Sequence, residues 1–156
     1  MAEPKPGEIE EERRFTPEPG AAMTLTLPSL GVYDAPVFDS DSPAALNAGI
    51  GHVPETKMPW DEGTQKNVYL AAHRLGYPGT GSRLLFYNLG RLERGDEVIV
   101  EGRGETYRYR VAEKLIVDPD ESWVMGEVRN RDMMSLQTCT PLTTFAKRLI
   151  VRADRI

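Results

Sequence analysis

The stretch "DEVIVEGRGETYRYRVAEKLIV", residues 96–117, decides the fold class. Two β-prone runs flank the glycine-rich "GRG", and a short glycine-containing connection between such runs is typical of a β-hairpin. In the second run Tyr107, Tyr109 and Val111 alternate with arginines, which is the period of a half-exposed strand. This segment therefore predicts two adjacent antiparallel strands.

Short strands continue on both sides of this hairpin. Residues 23–38 alternate apolar side chains between prolines, and "NVYLAAH", residues 67–73, reads as one compact strand. Towards the end of the chain, "MMSLQTC" and "RLIVRADRI" predict two final strands. The clearest helix is "SPAALNAG", with Ser42 before it and Pro43 as its first residue. Many short strands with little helix predict an all-β fold, a closed or nearly closed β-barrel with a few short helices in the connections.

Length and composition predict one folded domain with a linker before it. The chain has 156 residues, enough for a single hydrophobic core. Residues 1–21 are rich in Pro, Glu and Gly, a composition typical of a disordered stalk or linker. The folded domain is expected over residues 22–156. No run approaches the roughly 20 apolar residues that a membrane-spanning helix needs.

Several function classes are disfavoured by the same sequence. Acidic residues outnumber basic ones by 24 to 19, and no stretch concentrates Lys and Arg, which disfavours nucleic-acid binding. The loop "GYPGTGS" lacks the Gly-Lys-Ser/Thr ending of a phosphate-binding loop, and "DSDS" and "DPDES" lack calcium-loop spacing. A single cysteine and two distant histidines make neither a disulfide nor a zinc site. We therefore predict no metal and no cofactor.

The single cysteine, Cys139, is a candidate nucleophile. Strand alternation places it opposite Leu136 and on the more polar face of its strand, at the strand's end. A nucleophilic thiol needs a group that takes or shares its proton, and only His52 and His73 can serve. The alternative is a small buried residue with no chemical role, and residue type alone favours that alternative at least equally.

The two histidines differ in their sequence context. His73 ends a strand whose same face carries Tyr69 and Ala71, and the glycine-rich loop follows it, which leaves room for a cleft. His52 lies in "GIGHVPET", a loop-like stretch, and we interpret it as structural. Taken alone, His73 is equally well explained as a surface histidine with ordinary hydrogen bonds.

Arg148, nine residues after the cysteine, begins the last strand. Its alternation puts Arg148, Ile150 and Arg152 on one face, which is consistent with an outward charged stripe. A guanidinium could also stabilise an oxyanion that develops during acyl transfer. Spacing alone does not choose between these two interpretations.

Taken together, these pieces resemble the sortase family of cysteine transpeptidases. A strand ending "LAAHR", a later strand ending "SLQTC", then "TP" and "RLIVRA" match the family's order and spacing over about residues 22–156. Within the family, "NVYLAAHRLGYPG", "RLERGDEVIV" and "TCTPLTTFAKRLIVRA" look most like class E, and class D is the next most similar. The departures are Ala72 in place of a usual Gly and Ser135 in place of a usual Thr. Neither removes a reacting group.

The resemblance implies an eight-stranded sortase-type β-barrel and assigns roles to three residues. Cys139 would attack the carbonyl between Thr and Gly of a C-terminal sorting signal and form a thioacyl intermediate. His73 would protonate the departing amine and then deprotonate the incoming one. Arg148 would hold the oxyanion, with the backbone N–H of Thr140 as a second donor.

Substrate-binding residues follow from the same resemblance. Residues 117–132 correspond to the family's main specificity loop, whose apolar tip would line the pocket for the signal's first residue, leucine. The apolar side chains at this tip are Trp123, Val124 and Met125. A loop tip folded back onto the core explains each of them equally well. The complete set of expected substrate contacts is Thr138, Thr140, Trp123, Val124, Met125, Tyr77 and Tyr87.

The resemblance also implies partners and a location. Class E similarity implies a Leu-Ala-any-Thr-Gly signal on secreted surface proteins and an amine acceptor on a cell-wall precursor peptide. Sortases are usually tethered by an N-terminal transmembrane helix, which this sequence does not contain, with the catalytic domain outside a Gram-positive cell. Two alternatives stay open: a cysteine hydrolase of the same signal, and a non-catalytic extracellular β-barrel binding module.

Overall fold

The computed structural model of the protein describes residues 3–156, which form nine strands and one α-helix. The helix is α1 (Pro43–Ala48), and its first turn is capped by the Ser42 hydroxyl, which accepts a hydrogen bond from the Ala45 N–H at 3.3 Å. Short 3₁₀ turns occur at Glu8–Glu10, Pro28–Leu30, Leu89–Arg91 and Ser122–Met125. In chain order the strands are β1 (Arg13–Arg14), β2 (Met23–Leu27), β3 (Val32–Phe38), β4 (Ile50–His52), β5 (Lys66–Ala71), β6 (Glu97–Gly102), β7 (Glu105–Val117), β8 (Asp132–Thr140) and β9 (Lys147–Arg155).

Eight of these strands form a closed barrel. The order around it is β3-β2-β6-β7-β9-β8-β5-β4, and the pairing of β4 with β3 at Val37–Ile50 closes the ring. The two-residue strand β1 pairs in parallel with the start of β3. Closure removes the open edges that an exposed sheet would present. The predicted all-β fold, an eight-stranded barrel with short helices in its connections, is confirmed.

The hairpin predicted from residues 96–117 is formed by β6 and β7. Arg103 and Gly104 connect the strands, and both have positive φ, 53° and 76°, as the two-residue turns preferred by hairpins require. Pairing of Val100 with Tyr107 and of Val98 with Tyr109 turns these four side chains into the barrel interior. The alternation of residues in the sequence therefore correctly predicts which side chains of this hairpin face the barrel interior.

The parity of β5 and β8 positions the functional residues. Val68 and Leu70 of β5 and Leu136 of β8 lie in the hydrophobic core. The alternate residues of both strands, which include Tyr69 and Cys139, consequently face outward. This outward face of β5, β8 and β9 is called the outer face below.

One region differs from the sequence-based prediction. The loop-like stretch around His52 contains strand β4, and His52 is buried with Nδ1 2.8 Å from an Asp39 carboxylate oxygen and Nε2 3.0 Å from the Lys57 carbonyl oxygen. These contacts suit the structural role expected for His52. The strand was missed because three residues are too few to show a period.

The N-terminal stretch, for which the sequence predicts a linker, makes contacts with the barrel at Glu8 and Ile9. The Arg83 guanidinium donates to both carboxylate oxygens of Glu8, at 3.0 and 3.1 Å, and Asn88 donates to the Ile9 carbonyl oxygen at 2.8 Å. The Arg83 hydrogen bonds lower the pKa of Glu8 to about 2. Residues 1 and 2 lie outside the described residues. Across residues 3–156, no helix combines the length and the apolar character that crossing a membrane requires.

Candidate active site

Cys139 and Arg148 lie opposite each other on neighbouring strands. The antiparallel register of β8 and β9 pairs their Cα atoms directly, and side chains of such a pair lie on the same face of the sheet. Both residues are half-buried and belong to neither hydrophobic cluster. The thiol is therefore at the accessible end of the outer face.

His73 is brought to the same place by the parallel pairing of β5 with β8. The pairing runs to Ala71 and Gln137, and the Ala72 N–H continues it with a hydrogen bond to the Gln137 carbonyl oxygen at 3.1 Å. The buried hydroxyl of Thr138 then donates to the Ala72 carbonyl oxygen at 2.9 Å. His73 follows directly, level with Cys139.

Two side chains contact the imidazole of His73. Its Nε2 lies 3.1 Å from the amide oxygen of Asn47 in α1, and its ring meets the edge of the Tyr77 ring at a centroid distance of 5.8 Å. Partial burial lowers the pKa of His73 from its ordinary value of 6.5 because desolvation disfavours the imidazolium. The ring is thus held in place and is predominantly neutral at neutral pH.

The glycine-rich loop after His73 fixes the backbone of that residue. The Phe86 N–H donates to the His73 carbonyl oxygen at 3.2 Å, which closes the loop at its base. Gly76 has a φ of 67°, and a Cβ atom there would collide with the Ser82 carbonyl. Glycine is needed here because the loop folds tightly back on itself.

The Arg148 guanidinium is held along one edge. Its Nη1 donates to the carbonyl oxygens of Phe145 and Lys147 at 3.0 and 3.1 Å. No other side-chain hydrogen bond of Arg148 occurs within residues 3–156, so its remaining N–H groups can accommodate a developing negative charge. The planar fork of donors makes this orientation specific to arginine.

Arg74 is a site residue that the sequence reasoning missed. Its Nη1 donates to the Thr140 hydroxyl at 3.0 Å, and its Nε donates to the Tyr87 carbonyl oxygen at 3.2 Å. The guanidinium also stacks on the Tyr87 ring at 5.7 Å. Arg74 therefore ties the residue after the nucleophile to the loop after His73. Its only sequence signal is its position next to the histidine.

A cleft of about 860 Å³ lies near the site, and its lining does not include His73, Cys139 or Arg148. It lies between the N-terminal segment and the connection from β8 to β9, and Tyr87 and Phe145 contribute to its walls. Of the expected substrate contacts, Tyr87 and Thr140 are half-buried and Tyr77 is exposed. These three positions agree with a surface that a substrate can reach.

The apolar tip of residues 118–131 contains both exposed and buried side chains. Trp123 is 57% exposed, whereas Val124 is 3% exposed and packs in a cluster with Tyr69 and Ile150. Met125 is half-buried at the edge of this cluster. The alternative of a loop tip folded back onto the barrel thus describes Val124, and Trp123 is the side chain that projects.

The placement of Thr138 does not support a substrate contact. It is 2% exposed and its hydroxyl is engaged with the Ala72 carbonyl, on the side of β8 opposite to Cys139. Strand alternation had already put Thr138 on the face of Leu136, so the family pattern and the parity argument disagreed here. The structure gives Thr138 a positioning role for the strand end that carries His73.

A thiol, an imidazole and a guanidinium at one end of the outer face are compatible with thiol-based acyl transfer, the chemistry of the cysteine transpeptidases. Comparison with protein families agrees, because the family model described as the sortase domain matches residues 25–156. The chain belongs to the sortase family. Among residues 3–156, no group of three His, Cys, Asp or Glu side chains is arranged to hold a metal ion.

Individual relatives and solved structures are also similar. Sortase D of Bacillus subtilis is 26% identical over 91% of this chain and 68% of its own length. Sortase SrtE2 of Streptomyces coelicolor is 29% identical, and the match covers 88% of this chain but 59% of that protein. Among solved structures, the Group B Streptococcus pilus island 1 sortase C2 superimposes with a TM-score of 0.80 at 31% identity, covering 90% of this chain and 76% of that one.

Proposed function

We propose that this chain is the catalytic domain of a class E type sortase. It cleaves a Leu-Ala-any-Thr-Gly-type sorting signal between Thr and Gly and joins the new carboxyl end to an amine of a cell-wall precursor peptide. The observation that carries this proposal is the direct pairing of Cys139 with Arg148 on the outer face, with His73 level with both.

The first half of the reaction is acyl transfer to the protein. The Cys139 thiolate attacks the threonine carbonyl carbon, and the negative charge that develops on the carbonyl oxygen is stabilised by the N–H groups of Arg148. The imidazolium of His73 then donates its proton to the glycine nitrogen as the C–N bond breaks. The products are a thioester on Cys139, a neutral imidazole and a released peptide that begins with glycine.

The second half reverses the proton transfer. Neutral His73 removes a proton from the incoming amine, whose nitrogen attacks the thioester carbonyl. The C–S bond breaks, Cys139 returns as the thiolate, and His73 returns as the imidazolium. Because burial lowers the pKa of His73, only a minority of molecules carry the thiolate–imidazolium pair at neutral pH.

Class E is supported by the similarity to Sortase SrtE2 of Streptomyces coelicolor. The chain also matches Sortase D of Bacillus subtilis over a larger share of that protein, which makes class D the alternative subclass. Similarity to sortases of these bacteria supports action at the outer surface of a Gram-positive cell on secreted surface proteins.

The test is a product assay by mass spectrometry. The protein is incubated with a Leu-Ala-any-Thr-Gly peptide and either triglycine or a diaminopimelate-type amine. We expect cleavage after threonine and a ligated product, both lost in Cys139→Ala. Cleavage without ligation to either amine would instead indicate a hydrolase. No cleavage, together with a Cys139 inert to iodoacetamide, would indicate a non-catalytic binding module.

A further inference from the structure

The outer face of β8 differs sharply along its length. Cys139 at one end is half-buried, whereas Ser135, on the same face, is 0% exposed beneath residues 118–131. Four residues of strand separate the two by about 13 Å, and the three residue steps from Leu to Thr of an extended signal span about 10 Å. A signal with its threonine at Cys139 that runs along β8 towards Ser135 would place its leucine close to the loop that covers Ser135.

The Asn67 side chain makes two hydrogen bonds to the tip of that loop, and Arg152 Nη2 makes a longer one to the Val124 carbonyl oxygen, at 3.5 Å. The Asn67 amide nitrogen donates to the carbonyl oxygens of Val124 and Gly126, both at 3.0 Å. Its amide oxygen accepts from the Ser135 hydroxyl at 2.6 Å. Because backbone carbonyls only accept hydrogen bonds, they fix which end of the Asn67 amide faces the loop.

This network is buried and fully paired. Asn67 is 1% exposed, and both of its amide N–H donors and its oxygen have partners. Removing one partner from such a network leaves a buried polar group unpaired, which costs more than the bond itself contributes. The loop backbone at residues 124–126 is thus specified by hydrogen bonds as well as by the apolar contacts of Val124.

The backbone at residues 124–126 determines the directions of the side chains at the loop tip. Val124 packs inward on Tyr69 and Ile150, so its neighbour Trp123 points outward and remains 57% exposed. The guanidinium of Arg152, buried in the same region, lies 5.8 Å from the Trp123 ring. Trp123 therefore projects from the loop with Arg152 as a neighbour.

We infer that Asn67, oriented by Ser135, is a positioning residue that sets selectivity for the first residue of the sorting signal. The inference rests on the proposed function. It gives roles to Asn67 and Ser135, which are not among the reacting residues. By holding the carbonyls of Val124 and Gly126, Asn67 orders the pocket wall before peptide binds, so that binding does not include the cost of ordering the loop. Selectivity therefore depends on a polar contact beneath the loop.

The experiment compares Asn67→Asp with a matched control. Aspartate keeps the shape of asparagine, loses both N–H donors and places a carboxylate against two carbonyl oxygens. The control is Gln65→Ala, because Gln65 contacts the same loop only through exposed bonds to Glu127 and Asn130. The measurements are kcat and KM for two sorting peptides that differ only in Leu or Ala at the first position.

We expect Asn67→Asp to reduce the preference for the Leu peptide by about tenfold, through a higher KM. Its kcat should stay within about threefold of wild type, because no reacting group is changed. Amide hydrogen exchange of residues 122–126 should accelerate, and alkylation of Cys139 by iodoacetamide should keep its rate. The control should match wild type in all four measurements.

The serine provides a second pair of variants in case Asn67→Asp does not fold. Ser135→Thr keeps the hydroxyl and should retain the peptide preference, whereas Ser135→Ala removes it and should lose part of that preference. An active Asn67→Asp with unchanged preference would overturn the inference alone, as would equal preferences in the two Ser135 variants. A wild-type protein that processes neither peptide would overturn the proposed function, and the inference with it.

Discussion

The two ends of the outer face of β8 are built in opposite ways. At the Cys139 end the thiol is half-buried. Within residues 3–156, only Nη1 of the neighbouring Arg148 guanidinium donates hydrogen bonds. At the Ser135 end both amide N–H groups and the amide oxygen of Asn67 have partners, and Asn67 and Ser135 are buried. Reacting groups need unfilled hydrogen-bonding capacity, because they must gain partners in the transition state. A pocket wall needs the reverse, since it must keep its shape.

Removing the thiol should have the largest effect and leave both ends of the face otherwise intact. Cys139→Ala should lower turnover of the sorting peptide by at least about 10³-fold, because no thioester can form. Its thermal midpoint should stay close to that of wild type, since Cys139 packs in neither hydrophobic cluster. A variant that lost activity only because it unfolded would place Cys139 in the core after all.

Replacing the Arg148 guanidinium with an ammonium group tests its role at the Cys139 end of the outer face. Arg148→Lys should reduce kcat/KM by about 100-fold, because a point charge cannot reproduce the planar fork of donors. The matched control is Arg108→Lys, whose guanidinium pairs with Glu97 in an exposed ion pair remote from the site. Near-normal rates in Arg148→Lys would contradict its assignment to the oxyanion.

Thr138 separates a positioning role from a substrate contact. Thr138→Val removes the buried hydrogen bond to the Ala72 carbonyl and should lower the free energy of unfolding by about 1–2 kcal/mol. Chemical denaturation measures this, with the exposed Thr64→Val as the control. A change in KM for the sorting peptide at unchanged stability would show that Thr138 does contact the substrate.

The smallest expected effect is a shift in pH dependence. The acid side of the kcat/KM profile should follow the pKa of His73, because a further proton on the thiolate–imidazolium pair leaves a neutral thiol beside the imidazolium; the lowered pKa puts that limb below pH 6.5. Asn47→Asp places a carboxylate beside Nε2, which favours the imidazolium and should move the limb to higher pH. Asn130→Asp, at the opposite end of β8, makes the same charge change and should leave the limb in place.

The sequence predicted the β-barrel well, because its strands show a clear alternation of apolar residues. The two-residue period of β8 separated Leu136 from Cys139, whereas His73 and Cys139 were grouped by the resemblance to the sortase family and not by the period. Hydrogen bonds between residues distant in the chain leave no such period. Asn67 reaches across 57 residues to Val124, and Arg74 across 66 to Thr140, so neither role was visible.

The N-terminal segment shows a second limit of sequence reasoning. Its composition is that of a linker, yet a single glutamate that meets the Arg83 guanidinium and one asparagine contact hold its described part on the barrel. Composition averages over such individual contacts. The loop tip shows the same limit, because an apolar run cannot reveal that Val124 turns inward while Trp123 turns outward.

Trapping the acyl intermediate tests the central claim most directly. The protein is mixed with the sorting peptide without added amine, quenched in acid, and its intact mass is measured. We predict a mass increase equal to the peptide fragment ending in threonine, located on Cys139 and removed when the amine is added. Peptide cleavage that persists in Cys139→Ala, or an adduct on any other residue, would contradict the account.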